Sequence, residues 1–167
     1  GSPAAQVADA ATVAEFDDAE ALARFAQAVD VVTFEFENIP TAALDTLEAA
    51  GRTVRPGRRA LAASQDRLEE KRFLRGLGLA TAPFHPVDRA EDIADALDAV
   101  GCPAILKTRR LGYDGKGQAR IAAPADAEGA VAALAGAPGI LEGHVDFTHE
   151  VSVIGARGAD GAVACYD

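Results

Sequence analysis

Lys107-Thr108-Arg109-Arg110-Leu111-Gly112-Tyr113-Asp114-Gly115-Lys116-Gly117-Gln118 is the stretch on which the reading of this chain turns. The run before it, residues 104–108, predicts a strand, and residues 118–121 predict another. Three glycines between positions 112 and 117 let the backbone turn tightly, with no Cβ to keep a phosphate away. Lys107 and Lys116 put positive charge on either side. A strand follows rather than a helix, so this is not the dinucleotide fingerprint, and without Gly-Lys-Ser/Thr it is not a P-loop. By itself the stretch reads either as a phosphate-holding loop or as a plain Gly-rich hairpin.

Downstream, residues 125–134 predict a helix and residues 139–141 a strand, followed by Glu142-Gly143-His144-Val145. An acid there, next to a glycine, can open a connector whose backbone pairs with a purine. Glu150 heads the apolar run 150–154, read as a strand, and its carboxylate can accept two ribose hydroxyls. Each glutamate alone also reads as a solvated strand end. Residues 163–166 predict a last strand.

Upstream, Asp17 or Asp18 can cap a helix to about position 28, and residues 29–36 read as a buried strand. Pro40 opens a second helix that Gly51 closes, and residues 52–56 form a short strand. That is β-α-β order, the mark of a parallel sheet covered by helices. Helices over 59–63 and 66–75 follow, the second stopped by Gly76 and Gly78. Pro83 and Pro86 bracket an extended piece, and a helix over 91–100 places Ile93, Ala96, Leu97 and Val100 on one face before Gly101. The predicted divisions are 1–58, 59–103 and 104–167.

Composition narrows the function. The chain has 167 residues, is 49% apolar and carries a net charge of −10. That is enough apolar content for a packed core, and no run approaches the roughly 20 apolar residues of a membrane span. No signal-peptide pattern heads the sequence, and a cytoplasmic setting is expected. Cys102 and Cys165 form no metal pair or disulfide framework and are expected to be buried thiols. Thirteen of the basic residues are Arg and only Lys71, Lys107 and Lys116 are Lys. Residues 52–75 carry net +5 and residues 107–120 net +4, between acidic flanks. A nucleic-acid binder carries a broad basic face. Two basic islands in an acidic chain suit a small anion, or simply pair with neighbouring acids.

Taken in order, these residues resemble the ATP-grasp fold: Lys on a strand, Gly-rich loop, hairpin, helix, then Glu with a connector. More narrowly, Thr33-Phe34-Glu35-Phe36-Glu37-Asn38-Ile39-Pro40, Gln65-Asp66-Arg67 with Lys71, the 107–118 stretch and Glu150-Val151-Ser152-Val153-Ile154-Gly155-Ala156-Arg157 are similar to the N5-carboxyaminoimidazole ribonucleotide synthetase family. The resemblance runs from about Pro3 to the last residue. It implies an α/β and α+β chain: the end of an N-terminal parallel βαβ domain, linking helices and a nucleotide-lid subdomain.

It also implies roles. ATP phosphorylates bicarbonate to carboxyphosphate, and the amine of 5-aminoimidazole ribonucleotide captures the carboxyl group or the CO₂ it releases. By position, Arg67, Lys107, Gly112, Tyr113, Asp114, Gly115, Lys116, Gly117 and Gln118 would hold ATP phosphates. Glu142, Gly143, His144 and Val145 would form the adenine connector, and Glu150 would take the ribose. Tyr113, Asp114 and Lys116 would face substrate and carboxyphosphate as catalytic residues, with Glu35 and Asn38 on the ribonucleotide side.

ATP and Mg²⁺ are the implied cofactors and a homodimer the implied assembly, with no nucleic-acid or membrane partner. Family members begin earlier, with a strand and a Gly-rich turn, and continue further, into the region that holds Mg²⁺. The chain is therefore expected to be the middle of an enzyme, without metal ligands of its own and inactive alone. Two other readings compete: another ATP-grasp ligase, such as a formate-dependent glycinamide ribonucleotide transformylase or a biotin carboxylase-like subunit, and a noncatalytic nucleotide-binding or interaction fragment.

Overall fold

In the computed structural model, which describes residues 2–112 and 116–166, Asp18 accepts a 2.9 Å hydrogen bond from the Ala21 N–H and so starts helix α1 (Ala19–Gln27). Strand β1 (Val31–Val32) pairs in parallel with β2 (Thr53–Val54), and helix α2 (Thr41–Ala49) makes the crossover. Gly51, at φ 81°, reverses the chain after α2 in a conformation other residues resist. Helix α3 (Arg58–Ser64) completes this first unit: Leu61 joins Ala26, Val32, Ile39, Leu44, Leu47 and Val54 in one core.

The strand expected over 29–36 is much shorter, because only Val31 and Val32 find a ladder partner in β2. Beyond them the chain leaves the sheet, and Phe36 lies half exposed against Phe16, ring centroids 6.3 Å apart. An apolar run marks burial or a strand only where a partner exists for its backbone.

Helix α4 (Arg67–Gly76) is capped by Asp66, whose carboxylate accepts from the N–H groups of Leu68 and Glu69 at 3.0 and 3.4 Å. The second unit is a four-stranded antiparallel sheet in the order β3-β6-β4-β5, with β3 (Phe84–Val87), β4 (Ala104–Thr108), β5 (Gln118–Ile121) and β6 (Gly139–Gly143). Helices α5 (Ile93–Val100) and α6 (Ala127–Ala133) cover one face. Both begin two residues later than the sequence predicts, because a 3₁₀ turn precedes each. Asp92 and Asp126 hold those turns by the same device, each carboxylate accepting from two N–H groups just upstream.

Strand alternation then decides which side chains are free for chemistry. Ala104, Leu106 and Leu141 point to the helices and pack with Val87, Ala96, Ile121, Ala130 and Leu134. Burying Leu106 completely contributes roughly 1.5–3 kcal/mol. Ile105, Lys107, Ile140 and Glu142 therefore point to the opposite face. Register puts Glu142 opposite Ile105 and Ile140 opposite Lys107, so Glu142 and Lys107 are diagonal neighbours there.

The run 150–154 forms no strand. Pairing begins at β7 (Gly155–Arg157) with β8 (Val163–Cys165), a hairpin turned at Gly161 and closed by Gly158 N–H donating to Ala162 O. Val151, Val153 and Ile154 are exposed, so their apolar pattern is not buried against the described residues. Both cysteines are also exposed, contrary to expectation. Cys102 lies in the turn between α5 and β4, and Cys165 lies in the exposed hairpin.

Candidate functional site

Strand β4 delivers Lys107 and Thr108 to the edge of the 107–118 loop, and Thr108 closes the loop's base. Its N–H donates to Gly117 O at 2.7 Å, and its Oγ1 fills the space where side chains would otherwise sit. A Cβ on Gly117 would lie 2.6 Å from that oxygen, at a φ of +68°, and one on Gly112 would lie 2.9 Å away. Two of the loop's glycines are thus dictated by close packing on one threonine. Tyr113, Asp114 and Gly115, to which phosphate and substrate roles were assigned, lie outside the described residues. Lys116 and Gln118 are exposed at the loop's return, Gln118 in register with Lys107.

The junction of α3 and α4 grips the loop's entry. The Arg67 N–H donates to Arg109 O at 3.0 Å, and Arg67 Nη2 donates to Gly112 O at 2.8 Å. The Arg109 guanidinium forks onto Asp66, at 3.0 and 3.1 Å from Nε and 2.8 Å from Nη2, and reaches Asp88 at 3.1 Å through Nη1. Arg110 Nη2 donates to Gln65 Oε1 at 2.9 Å. Burial works against the charge of Asp66. The Arg109 hydrogen bond, the Leu68 N–H, the Arg109 charge and the Glu69 N–H outweigh it and hold the carboxyl below its usual range. The same hydrogen bond, against desolvation, pushes Arg109 further up. Arg67, expected on ATP phosphates, is here a clamp on the loop backbone.

On the sheet face away from α5 and α6, two ammoniums converge on one carboxylate oxygen. Glu142 Oε2 is 2.9 Å from Lys107 Nζ and 3.4 Å from Lys71 Nζ. All three side chains are at most 22% exposed, so the trio, net +1, sits in surroundings where charge is poorly screened. Glu142 is therefore not a solvated strand end: β6 continues one residue past it. The connector that follows is also partly committed. Gly143 N–H donates to Pro83 O at 2.8 Å and His144 N–H to Pro103 O at 3.0 Å, so a purine would be read by other groups of the connector. His144, Val145 and Glu150 are exposed, and Glu150 stands outside any strand rather than at a strand head.

The two residues expected on the ribonucleotide side separate. Glu35 lines a largely apolar cavity of ≈ 330 Å³ with Phe16, Phe25 and Leu44. Asn38 lines a second cavity of ≈ 570 Å³, together with Gln65, Arg58, Arg110 and Leu111, beside the loop entry. Sequence reasoning quoted Gln65, Asp66, Arg109, Arg110 and Lys71 without finding these contacts. Basic side chains clustered before and inside a Gly-rich loop, with an Asp at a helix start, were the available signal.

Among the described residues no three His, Cys, Asp or Glu side chains are grouped to hold a metal ion, and no helix is long and apolar enough to cross a membrane. What the site offers an anion is two shared ammoniums beside a glycine-turned backbone, the arrangement that holds phosphates.

The ATP-grasp domain model matches residues 72–167, and the ribonucleotide synthetase preATP-grasp domain model matches residues 1–65. The chain belongs to the ATP-grasp family, and its α/β and α+β architecture is the one the sequence predicts. Among its relatives is the N5-carboxyaminoimidazole ribonucleotide synthase of Brucella melitensis, 52% identical over 169 residues that cover all of this chain and 46% of the relative. An N5-carboxyaminoimidazole ribonucleotide synthetase solved as its ADP complex superposes with a TM-score of 0.93 at 39% identity, over 99% of this chain and 44% of that one. The synthase from Aspergillus clavatus, solved with ADP and 5-aminoimidazole ribonucleotide, gives 0.86 at 27% identity over 98% and 43%. The chain thus spans less than half the length of these relatives.

Proposed function

We propose that the full-length protein is an ATP-dependent carbon–nitrogen ligase that carboxylates 5-aminoimidazole ribonucleotide with bicarbonate to N5-carboxyaminoimidazole ribonucleotide, a step of purine biosynthesis. The observation that carries this reading is the built loop: Thr108-packed glycines, an Arg67 and Arg109 grip, and the Lys71–Glu142–Lys107 trio at its foot. Its similarity to solved synthetases with ADP and with the ribonucleotide supports it.

In this reaction a bicarbonate oxygen takes the γ-phosphoryl group, giving ADP and carboxyphosphate. The amine of the ribonucleotide then bonds to the carboxyl carbon, phosphate leaves, and the amine loses a proton. Such chemistry asks a protein mainly for positioning and charge neutralisation. Lys107 and Lys71 would neutralise phosphate oxygens while sharing Glu142 between them. Loop amides and Lys116 would meet the transferring group. Tyr113 and Asp114 would orient the amine, with Asn38 and Glu35 on the ribonucleotide's side. The adenosine would lie along His144, Val145 and Glu150. Mg²⁺ would arrive with the nucleotide. The described residues supply cations rather than a carboxylate group for it, so none is assigned as its ligand. A cytoplasmic homodimer completes the reading.

Thermal unfolding of the full-length protein tests it. Ligand at a hundredfold excess over its Kd stabilises by about 2.7 kcal/mol. Mg-ATP and 5-aminoimidazole ribonucleotide should therefore each raise Tm by several degrees on their own. A response to ATP with none to the ribonucleotide would replace this substrate by that of another ATP-grasp ligase.

A further inference from the structure

Gln65 is 93% buried, and its side-chain hydrogen bonds join two segments, one around Asn38 and one at the start of the Gly-rich loop. Its Nε2 donates to Glu37 O at 2.6 Å and to Ile39 O at 2.5 Å, the carbonyls on either side of Asn38. Its Oε1 accepts from Arg110 Nη2 at 2.9 Å, in the first residues of the Gly-rich loop. One end must donate twice and the other must accept, so the chemistry of the contacts fixes the amide's orientation. No other side chain of this length does both. A carboxylate would face two carbonyls, and a thioether would leave them unpaired in a buried place. The bridge spans the ≈ 570 Å³ cavity that Asn38, Arg58, Arg110 and Leu111 line.

We infer that Gln65 is a positioning residue that couples ribonucleotide binding at the Asn38 segment to nucleotide binding at the Gly-rich loop, through Arg110. The inference rests on the functional reading above, since that reading supplies the two ligands. The segment 37–39 precedes α2 without belonging to any strand, and the loop beyond Arg110 joins two strands. Among the described residues, neither 37–39 nor 109–112 belongs to a strand. Holding one to the other through a buried amide means that ordering either by a ligand reduces the ordering left for the second ligand to impose. Such coupling is reciprocal: whatever factor nucleotide adds to ribonucleotide affinity, ribonucleotide adds to nucleotide affinity.

The test uses the full-length protein, with the Kd of 5-aminoimidazole ribonucleotide measured by calorimetry with and without a non-hydrolysable Mg-ATP analogue. The wild type should bind the ribonucleotide about fivefold or more tightly when the analogue is present, the lower range of allosteric coupling. Gln65→Glu and Arg110→Ala should each bring that ratio below twofold, with the Kd of the analogue alone changed less than threefold. The double variant should lose no more than either single one. Arg110 is exposed, so Arg110→Ala keeps the test decisive even where Gln65→Glu fails to fold. Wild type that binds both ligands without coupling, or variants that keep the ratio, would overturn this inference alone. Wild type that binds no ribonucleotide would overturn the functional reading beneath it as well.

Discussion

Lys107→Ala in the full-length protein is expected to lower kcat/KM for ATP by about 10²- to 10³-fold, the usual cost of removing one preorganised donor to charge that builds in a transition state. Lys107 stands where β4 runs into the loop, on the face that α5 and α6 leave open, 2.9 Å from Glu142. Its removal leaves Glu142 with Lys71 alone and changes the trio from net +1 to neutral, so an arriving triphosphate would meet a site with no surplus charge. Lys107→Arg should restore little, because a planar fork fits bidentate partners and does not replace a compact point charge shared with Lys71. Steady-state ADP formation with ribonucleotide and bicarbonate reads the effect, and circular dichroism checks that the variant folds. A loss below fivefold would return Lys107 to a structural partner of Glu142.

Asp66→Ala should be the most destabilising single change at the site, by about 2–3 kcal/mol. Two losses combine. Helix α4 loses its cap to Leu68 and Glu69, and Arg109 keeps its charge at 20% exposure with only the exposed Asp88 to answer it. The pH dependence has a definite sign. The folded carboxyl lies below its unfolded value, so its contribution is complete above about pH 4, the ordinary range of a free Asp. It is lost as pH falls through the lower, folded value. The gap in Tm between wild type and Asp66→Ala should therefore be widest near neutrality and narrow steadily below about pH 4. A gap independent of pH would mean that the lost packing, and not the carboxylate, carries the effect.

The loop and the order of elements around it were legible because they rest on local rules: glycines where the chain turns, a short apolar run in β4 and alternation in β5, Pro before α2 and Gly after it. The clamp was not legible, because its partners lie far apart along the chain. Gln65 and Arg110 are 45 residues apart, Asp66 and Arg109 are 43, and Lys107 and Glu142 are 35. No periodicity encodes such pairings. Lys71 was a compositional oddity until the fold brought it to Glu142. Glu142 itself was read as a strand end because apolar residues stop before it. Its strand is held from both sides, by β3 and β4, and continues through Gly143. The opposite error occurred at residues 150–154, an apolar run outside any strand, whose last residue, Ile154, accepts at its carbonyl from the Tyr166 N–H. Arg67, to which the family resemblance gives a place on the ATP phosphates, also has a contact no local pattern encodes, since its guanidinium donates to the Gly112 carbonyl 45 residues away.

The most direct measurement is ADP release by the full-length protein with Mg-ATP, bicarbonate and 5-aminoimidazole ribonucleotide, each omitted in turn, with radiolabelled bicarbonate followed into the acid-labile product. The account predicts that ADP release requires the ribonucleotide and that one label enters the product per ADP formed. ADP release that ignores the ribonucleotide, or that responds to formate and glycinamide ribonucleotide instead, would contradict it.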